Sequence, residues 1–518
     1  DRFRNQCAGH TKVEGQLAHP LARALGPCRV EDLVDQFARP LVVGHAEDIA
    51  GDLDQVAVQI ALVPLGEDVV ELVVGQSRGL LEHPIGLADQ LHVAVFDSVM
   101  DHLDVMPGAA RTDPFAAGNI VLRADLGGDG WDHTNPWGSG NYVGYCVANP
   151  GYCNDKLIGA WEYAYDLLPA TGYLDYPTPE DENGHGSHTA STSGGNYVEV
   201  EFEDGVGGTI TLNISGVAPH ANLIAYKVLN DEGSGWTSDL AAGADQAVAD
   251  MVNVINYSIG PNSGTAEPWI DLVELAFLDA TAAGIFVSVS AGNSGPAPNT
   301  LGHSSPWTAV MGGTTHNRVL AHPLDIVTNV NSMLGLAAVE GNGPPLMADL
   351  SAPIIFGGDI DPENTLGCDA WEGTPFTGAI GLVQRGSCNF SVKVDNLAAA
   401  GAVAALVYNN VSGPPVAMGV LEATTIPSMM ISLDDGNAVI ALISGDASAN
   451  ATMYLFRYLI YNDEWTDVMY GASSRGPSPW ELLAPDYNAP AVNILAAVAA
   501  ADGDPLQYGF YMGTSMAS

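Results

Sequence analysis

Residues 218–296 read APHANLIAYKVLNDEGSGWTSDLAAGADQAVADMVNVINYSIGPNSGTAEPWIDLVELAFLDATAAGIFVSVSAGNSGP, and this stretch decides the fold. Leu223–Leu229 is a short apolar run that follows the turn-forming Gly216 and Pro219, so it reads as a strand. Ser238 is placed to cap a helix that brings Leu240, Ala244, Ala247 and Val248 to one face at helical spacing. Val252–Ser258 follows as a buried strand. A second helix over Ile270–Ala283 stops at Gly284, and Ile285–Ser290 is the next strand. Strands separated by helices of about a dozen residues indicate βαβ units, hence a parallel α/β sheet with helices on both faces. Ligands of such sheets bind at the carboxyl ends of the strands, so the chemistry is expected just after Tyr257 and Val289.

Outward from this core the organisation changes twice. A smaller αβ region runs over residues 339–456, with strand character at Pro353–Phe356, Gly378–Gln384 and Val403–Tyr408 and a helix near Val392–Ala400. Residues Tyr470–Ala497 then return to the character of the first region. A domain inserted into another explains that return without a very long loop. The chain thus divides into a first α/β part, 119–338, an insert, 339–456, and a second part of the first kind, 457–518.

Bulk properties bound the partners. The formal net charge is -45 at pH 7, from 61 acidic against 16 basic residues, and a phosphate backbone or anionic membrane surface would be repelled. No apolar run approaches the roughly 18 residues needed to span a bilayer. A monomer without nucleic-acid or membrane partners is expected. The chain begins at Asp1 with no basic-then-apolar leader, so a leader was removed or never included. Residues 1–123 hold nine basic and eighteen acidic side chains, against seven and 43 in the remainder. They also lack Tyr and Trp, and contain only Ser77 and Ser98 as serines. This break marks residues 1–118 as a propeptide or separate domain, or as a stretch translated in another frame. They are expected to lie outside the fold, although Val56–Val63 and Val69–Val74 have strand character.

Three constellations carry chemistry. In Gly184-His185-Gly186-Ser187-His188-Thr189-Ala190 the flanking glycines leave the His185 imidazole open, and a histidine titrating near pH 6.5 can take and return a hydroxyl proton. A loop histidine pair or an i,i+3 metal pair is the ordinary alternative, and His188 reads as structural. In Gly513-Thr514-Ser515-Met516-Ala517-Ser518, small residues permit a tight turn before Ser515 at the start of a helix, which equally suits a helix-capping serine. In Ser290-Ala291-Gly292-Asn293-Ser294-Gly295-Pro296, directly after a strand, the Asn293 amide can donate to a developing oxyanion, or simply make a turn. Taken together and in this order, the three point to acyl transfer.

On these motifs the chain resembles the subtilisin-like serine proteases with an inserted protease-associated domain. The resemblance implies His185 as general base, Ser515 as nucleophile and Asn293 in the oxyanion hole. Asn256–Gly260 is similar to the strand whose Ser258 and Gly260 edge pairs with extended substrate and lines the S1 pocket. The expected enzyme is a secreted endopeptidase acting on proteins or peptides, with no required cofactor. Gly378–Cys388 and Asn396–Asn409 carry the protease-associated resemblance. Cys368 would pair with Cys388 and Cys146 with Cys153, in keeping with an oxidising compartment, unless they are buried thiols. Calcium could sit in acidic loops such as Asp361–Asn364 or Asp434–Asp435, but none of them is assignable as a site.

Two departures stand out. The Asp-Thr-Gly or Asp-Ser-Gly motif of the family acid is not found; Asp125-Leu126-Gly127 imitates it only superficially, and the missing piece is expected a dozen or more residues upstream, inside the segment of different composition. The chain also ends three residues after Ser515, so the chain as given is expected to be inactive. A catalytically dead homologue that binds proteins through the insert is the alternative function. An α/β-hydrolase esterase is disfavoured, because Ser515 lies in Gly-Thr-Ser-Met-Ala and not in Gly-x-Ser-x-Gly.

Overall fold

The computed structural model describes residues 56–64, 70–78, 92–96, 130–164, 178–181, 183–230, 233–261, 264–446, 448–499 and 507–518. The first two strands, β1 (Val56–Pro64) and β2 (Val70–Arg78), form an antiparallel hairpin in register from Val56 opposite Arg78 to Pro64 opposite Val70. They belong to a unit of their own.

The second unit begins with β3 (His92–Phe96), β4 (Val143–Gly144), β5 (Leu157–Glu162) and helix α1 (His185–Gly194). The hairpin β6 (Val198–Glu203) and β7 (Thr209–Ile214) precedes β8 (Asn222–Lys227), α2 (Thr237–Ala249), β9 (Val254–Tyr257), α3 (Leu272–Ala282), β10 (Phe286–Ser290) and β11 (Ala309–Thr314). An inserted region follows, with β12 (Arg318–Val327), β13 (Ser332–Glu340), β14 (Leu350–Phe356), α4 (Gly357–Ile360), β15 (Ile380–Gln384), α5 (Phe390–Ala399), β16 (Ala404–Tyr408), β17 (Ser428–Ile431), α6 (Leu433–Ile443), β18 (Asn450–Met453) and β19 (Tyr458–Tyr461). The last elements are β20 (Tyr487–Pro490), β21 (Ile494–Val498), β22 (Gln507–Tyr511) and the short α7 (Thr514–Ala517).

One eight-stranded sheet has the order β20-β11-β10-β9-β3-β8-β5-β4, and every neighbouring pair is parallel. All six residues of β8 are buried, because alternate side chains enter different cores. Ile224 and Tyr226 pack with Ala244 and Ala247 of α2 and Phe277 of α3. Leu223 and Ala225 pack with Val93 of β3 and Ala190 of α1. The βαβ reading is thereby realised, with one local difference. Trp236 is the N-cap of α2 and makes no side-chain cap bond, while Ser238 lies inside the first turn and donates to Asp239.

The position of β3 corrects the reading of the N-terminal segment. These five residues lie upstream of the composition break, yet they fill the slot between β8 and β9. His92 is level with Asn222, and Phe96 is level with both Tyr226 and Tyr257. Val93–Phe96 is a continuous apolar run, the pattern of a strand in a parallel sheet covered on both faces, whatever the composition of the segment around it.

The second sheet runs β13-β17-β16-β15-β14-β18-β12-β19, and β12 also pairs with β13, closing a ring of seven strands. It starts at Arg318 and ends at Tyr461, wider than the 339–456 read from the sequence, because β12 pairs with strands from both ends of the insert. Both expected disulfides are present, Cys146–Cys153 and Cys368–Cys388. Beside the second, the buried Lys393 ammonium donates to the carbonyls of Leu366 at 2.7 Å and Gly386 at 2.8 Å, pinning both ends of the cross-linked loop. Closing a loop of 20 residues stabilises by about 3 kcal/mol through the unfolded state. Replacing both Cys368 and Cys388 by serine is expected to lower the unfolding free energy in urea by about that amount. A double variant as stable as the parent would contradict it.

Among the described residues, no helix is long and apolar enough to cross a membrane.

Candidate active site

Helix α1 begins at His185, and its start is shaped by Asp181. One oxygen of that buried carboxylate accepts from the backbone N–H groups of Asn183 (2.9 Å) and Gly184 (2.7 Å), and the other from Ser187 (2.8 Å). Three helix-start donors are thus satisfied by one side chain. Gly184 takes φ 91°, a left-handed conformation, and a side chain there would come within 3.1 Å of the Tyr511 hydroxyl. His185 is half-exposed at the head of this helix.

His188, one turn on, is fully buried. Its Nε2 lies 3.0 Å from the Ile494 carbonyl and 3.2 Å from that of Gly509, and its ring stacks on Tyr511 at 4.4 Å. Desolvation pulls its pKa down to about 4, so it is neutral and donates from Nε2 to both strands. The structural reading of His188 therefore holds: it fastens α1 to the β21–β22 hairpin. That hairpin leads through Gly513 into α7, which packs against α1, β10, β11 and β20.

Ser515 sits in α7 with little exposure. Its hydroxyl is 3.4 Å from the Ser258 carbonyl, and the Ser258 hydroxyl donates to the Ser515 carbonyl at 2.9 Å. Asn293, exposed after β10, accepts at Oδ1 from the Thr514 N–H at 2.9 Å. With its oxygen so engaged, Nδ2 is the donor that this amide has to offer. A Cβ at position 513 would stand 3.3 Å from that nitrogen, which is why glycine precedes the serine motif. Gly292 N–H donates to the Thr514 hydroxyl at 3.0 Å, joining the two loops again.

The structure therefore gathers Ser258, Asn293 and Ser515 at the carboxyl ends of β9 and β10, with the helix headed by His185 packed alongside. Gly260 is exposed two residues beyond Ser258. Asp125 lies outside the described residues. Sequence reasoning passed over Asp181, although an acid four residues before the histidine, in a loop ahead of a helix, is a capping signal. The upstream segment in which the family acid is expected contains β3, which ends at Phe96, level with Tyr257, and packs against α1; the next residue in the sequence is Asp97.

No group of three or more His, Cys, Asp or Glu suited to a metal ion occurs among the described residues. The acidic loops named above serve local structure. Asp361 accepts from the Glu363 N–H at 3.0 Å, and Asp435 accepts from the Ser432 hydroxyl that caps α6.

An all-parallel sheet carrying a serine, a histidine helix and an amide donor at one end defines a class of serine-nucleophile hydrolase folds. The Subtilase family profile matches residues 128–518, and the chain belongs to that family. It is 32% identical over 393 residues to subtilisin-like protease SBT1.6 of Arabidopsis thaliana, covering 71% of this chain and 49% of the relative. It is 32% identical over 321 residues to the minor extracellular protease Vpr of Bacillus subtilis, covering 60% of this chain and 37% of that protein. The crystal structure of the psychrophilic subtilisin-like protease Apa1 from Pseudoalteromonas sp. AS-11 aligns with a TM-score of 0.36 at 16% identity, over 82% of this chain and 80% of that one. The chain spans about half the length of the curated Arabidopsis relative.

Proposed function

We propose that the chain is the catalytic part of a secreted serine endopeptidase that cleaves proteins or peptides through an acyl-enzyme on Ser515. The observation that carries this is the seating of Ser515 between the Ser258 edge and Asn293, in a helix packed on the one that His185 begins. In the first half-reaction, Ser515 Oγ bonds to the scissile carbonyl carbon and its proton passes to His185. The carbonyl oxygen, now an anion, receives a hydrogen bond from Asn293 Nδ2. Collapse breaks the C–N bond, and His185 returns the proton to the departing amine. Water, deprotonated by His185, then releases the acid and regenerates the hydroxyl. The acid that orients His185 would be Asp97, the residue that follows the central strand β3 in the sequence. Side chains carry every step, so no metal or cofactor is required.

The extended edge Ser258–Gly260 would bind the substrate backbone, and the insert, similar to protease-associated domains, would engage protein substrates. Two disulfides and the extracellular Bacillus relative support secretion.

A biotinylated fluorophosphonate is expected to label the folded full-length protein once, with the adduct mapped to Ser515. A folded protein that takes no label would turn the reading to a binding homologue. Asn293→Ala is expected to lower kcat by about 10²–10³ with KM within about twofold. The figure is that of subtilisin, a member of this family. An equal rise in KM would argue that Asn293 holds substrate and not the oxyanion.

A further inference from the structure

Glu274, His303 and Ser305 form a buried polar cluster that acyl transfer does not use. All three side chains are almost wholly enclosed, Glu274 completely. His303 Nδ1 lies 2.6 Å from Glu274 Oε1, and its Nε2 lies 2.7 Å from the carbonyl oxygen of Ile259. The Ser305 hydroxyl donates to the other carboxylate oxygen of Glu274. Trp307 Nε1 donates to the Glu274 carbonyl at 2.8 Å, tying the same loop to α3.

Both partners of the ring are acceptors. A neutral imidazole carries one N–H and satisfies one of them; the imidazolium satisfies both. An ion pair with Glu274 is also what makes a buried positive charge tolerable. Ile259 is the residue between Ser258 and Gly260. The Ser258 carbonyl faces the nucleophile, while the next carbonyl, that of Ile259, points inward and ends on His303.

We propose that His303 is a positioning residue that, as an imidazolium clamped by Glu274, fixes the Ser258–Gly260 edge and so makes substrate binding depend on its charge. This rests on the protease reading of that edge. The titratable groups around His303 are Glu274 of α3, Asp271 just before it, and Tyr257 of β9, whose ring meets the imidazole edge-on at 5.6 Å. Burial opposes the charge, but Glu274 and, more weakly, Asp271 outweigh it and hold the His303 pKa above the ordinary imidazole value. The charged form therefore persists to higher pH than an ordinary imidazole would allow. As pH climbs through the raised value, one of the two hydrogen bonds is lost and the edge loosens. The stability the pair contributes follows the same course, present below the ordinary imidazole range and lost as pH rises through the folded-state pKa.

The test uses the full-length enzyme with an extended peptide substrate and, separately, the fluorophosphonate. KM of the parent is expected to rise about tenfold on the alkaline side while kcat changes less than twofold. His303→Gln should have that higher KM at every pH, and Glu274→Gln should move the rise to lower pH. Nitrogen-15 NMR of the parent should show His303 doubly protonated at pH 7, a readout that stands even where a variant fails to fold. A neutral ring at pH 7 overturns the proposal, and so does a KM that stays flat with pH in enzyme that labels at Ser515. Absence of labelling in the folded parent instead overturns the protease reading beneath it.

Discussion

Replacing Ser515 by alanine is expected to abolish fluorophosphonate labelling and to reduce kcat by about 10⁶, the loss subtilisin, of the same family, suffers without its nucleophile. The fold should survive the change. The contacts that seat α7 run through the backbone of Ser515 and through its neighbours: Ser258 Oγ to the Ser515 carbonyl, and Thr514 to Asn293. The only protein hydrogen bond of the Ser515 hydroxyl described is the long one, 3.4 Å, to the Ser258 carbonyl. Its loss costs on the order of 1 kcal/mol or less. A Ser515→Ala protein with an unchanged melting curve and no turnover places the nucleophile at this oxygen. Retained turnover would move the chemistry elsewhere, whatever the family resemblance.

The parts of the molecule that sequence reading reaches are those whose signals are local. The βαβ alternation between Leu223 and Ser290 shows as a switch between periods of two and 3.6, and the three motifs lie where such a sheet exposes its strand ends. The parts it misses depend on pairing across the chain. β3 is only five residues long, sits in a segment of foreign composition, and precedes Asp97-Ser98-Val99 in place of a glycine-containing motif. Its slot is declared only by β8 and β9 on either side. The limits of the insert were misplaced for the same reason. β12 closes the second sheet by pairing with β13, β18 and β19, and β19 lies more than 130 residues downstream of it. Glu274 gave one weak signal, an acid between Val273 and Ala276 on the apolar face of α3. Its partners His303 and Ser305 come from a loop that has no period to read.

Asp97→Asn is expected to lower kcat by about 10⁴ with little change in KM. An orienting carboxylate holds the neutral base in the tautomer that can accept the serine proton, and it stabilises the imidazolium that results; an amide in its place does neither. The argument for Asp97 is positional. Ser258 and Asn293 follow the carboxyl ends of β9 and β10 in the parallel sheet, where ligands of such folds bind, and α7 sets Ser515 against Ser258. β3 is parallel to its neighbours and central among them, α1 packs against it, and Asp97 is the residue that follows its last residue, Phe96, in the sequence. Asp181, four residues before His185, accepts from three backbone donors that shape the start of α1. The comparison is with Asp125→Asn, which should leave kcat within about twofold. If Asp97→Asn retains full activity while Asp125→Asn loses it, β3 is a structural strand only and the acid follows the composition break; if both lose it, the two segments act on His185 together and the single-acid account fails.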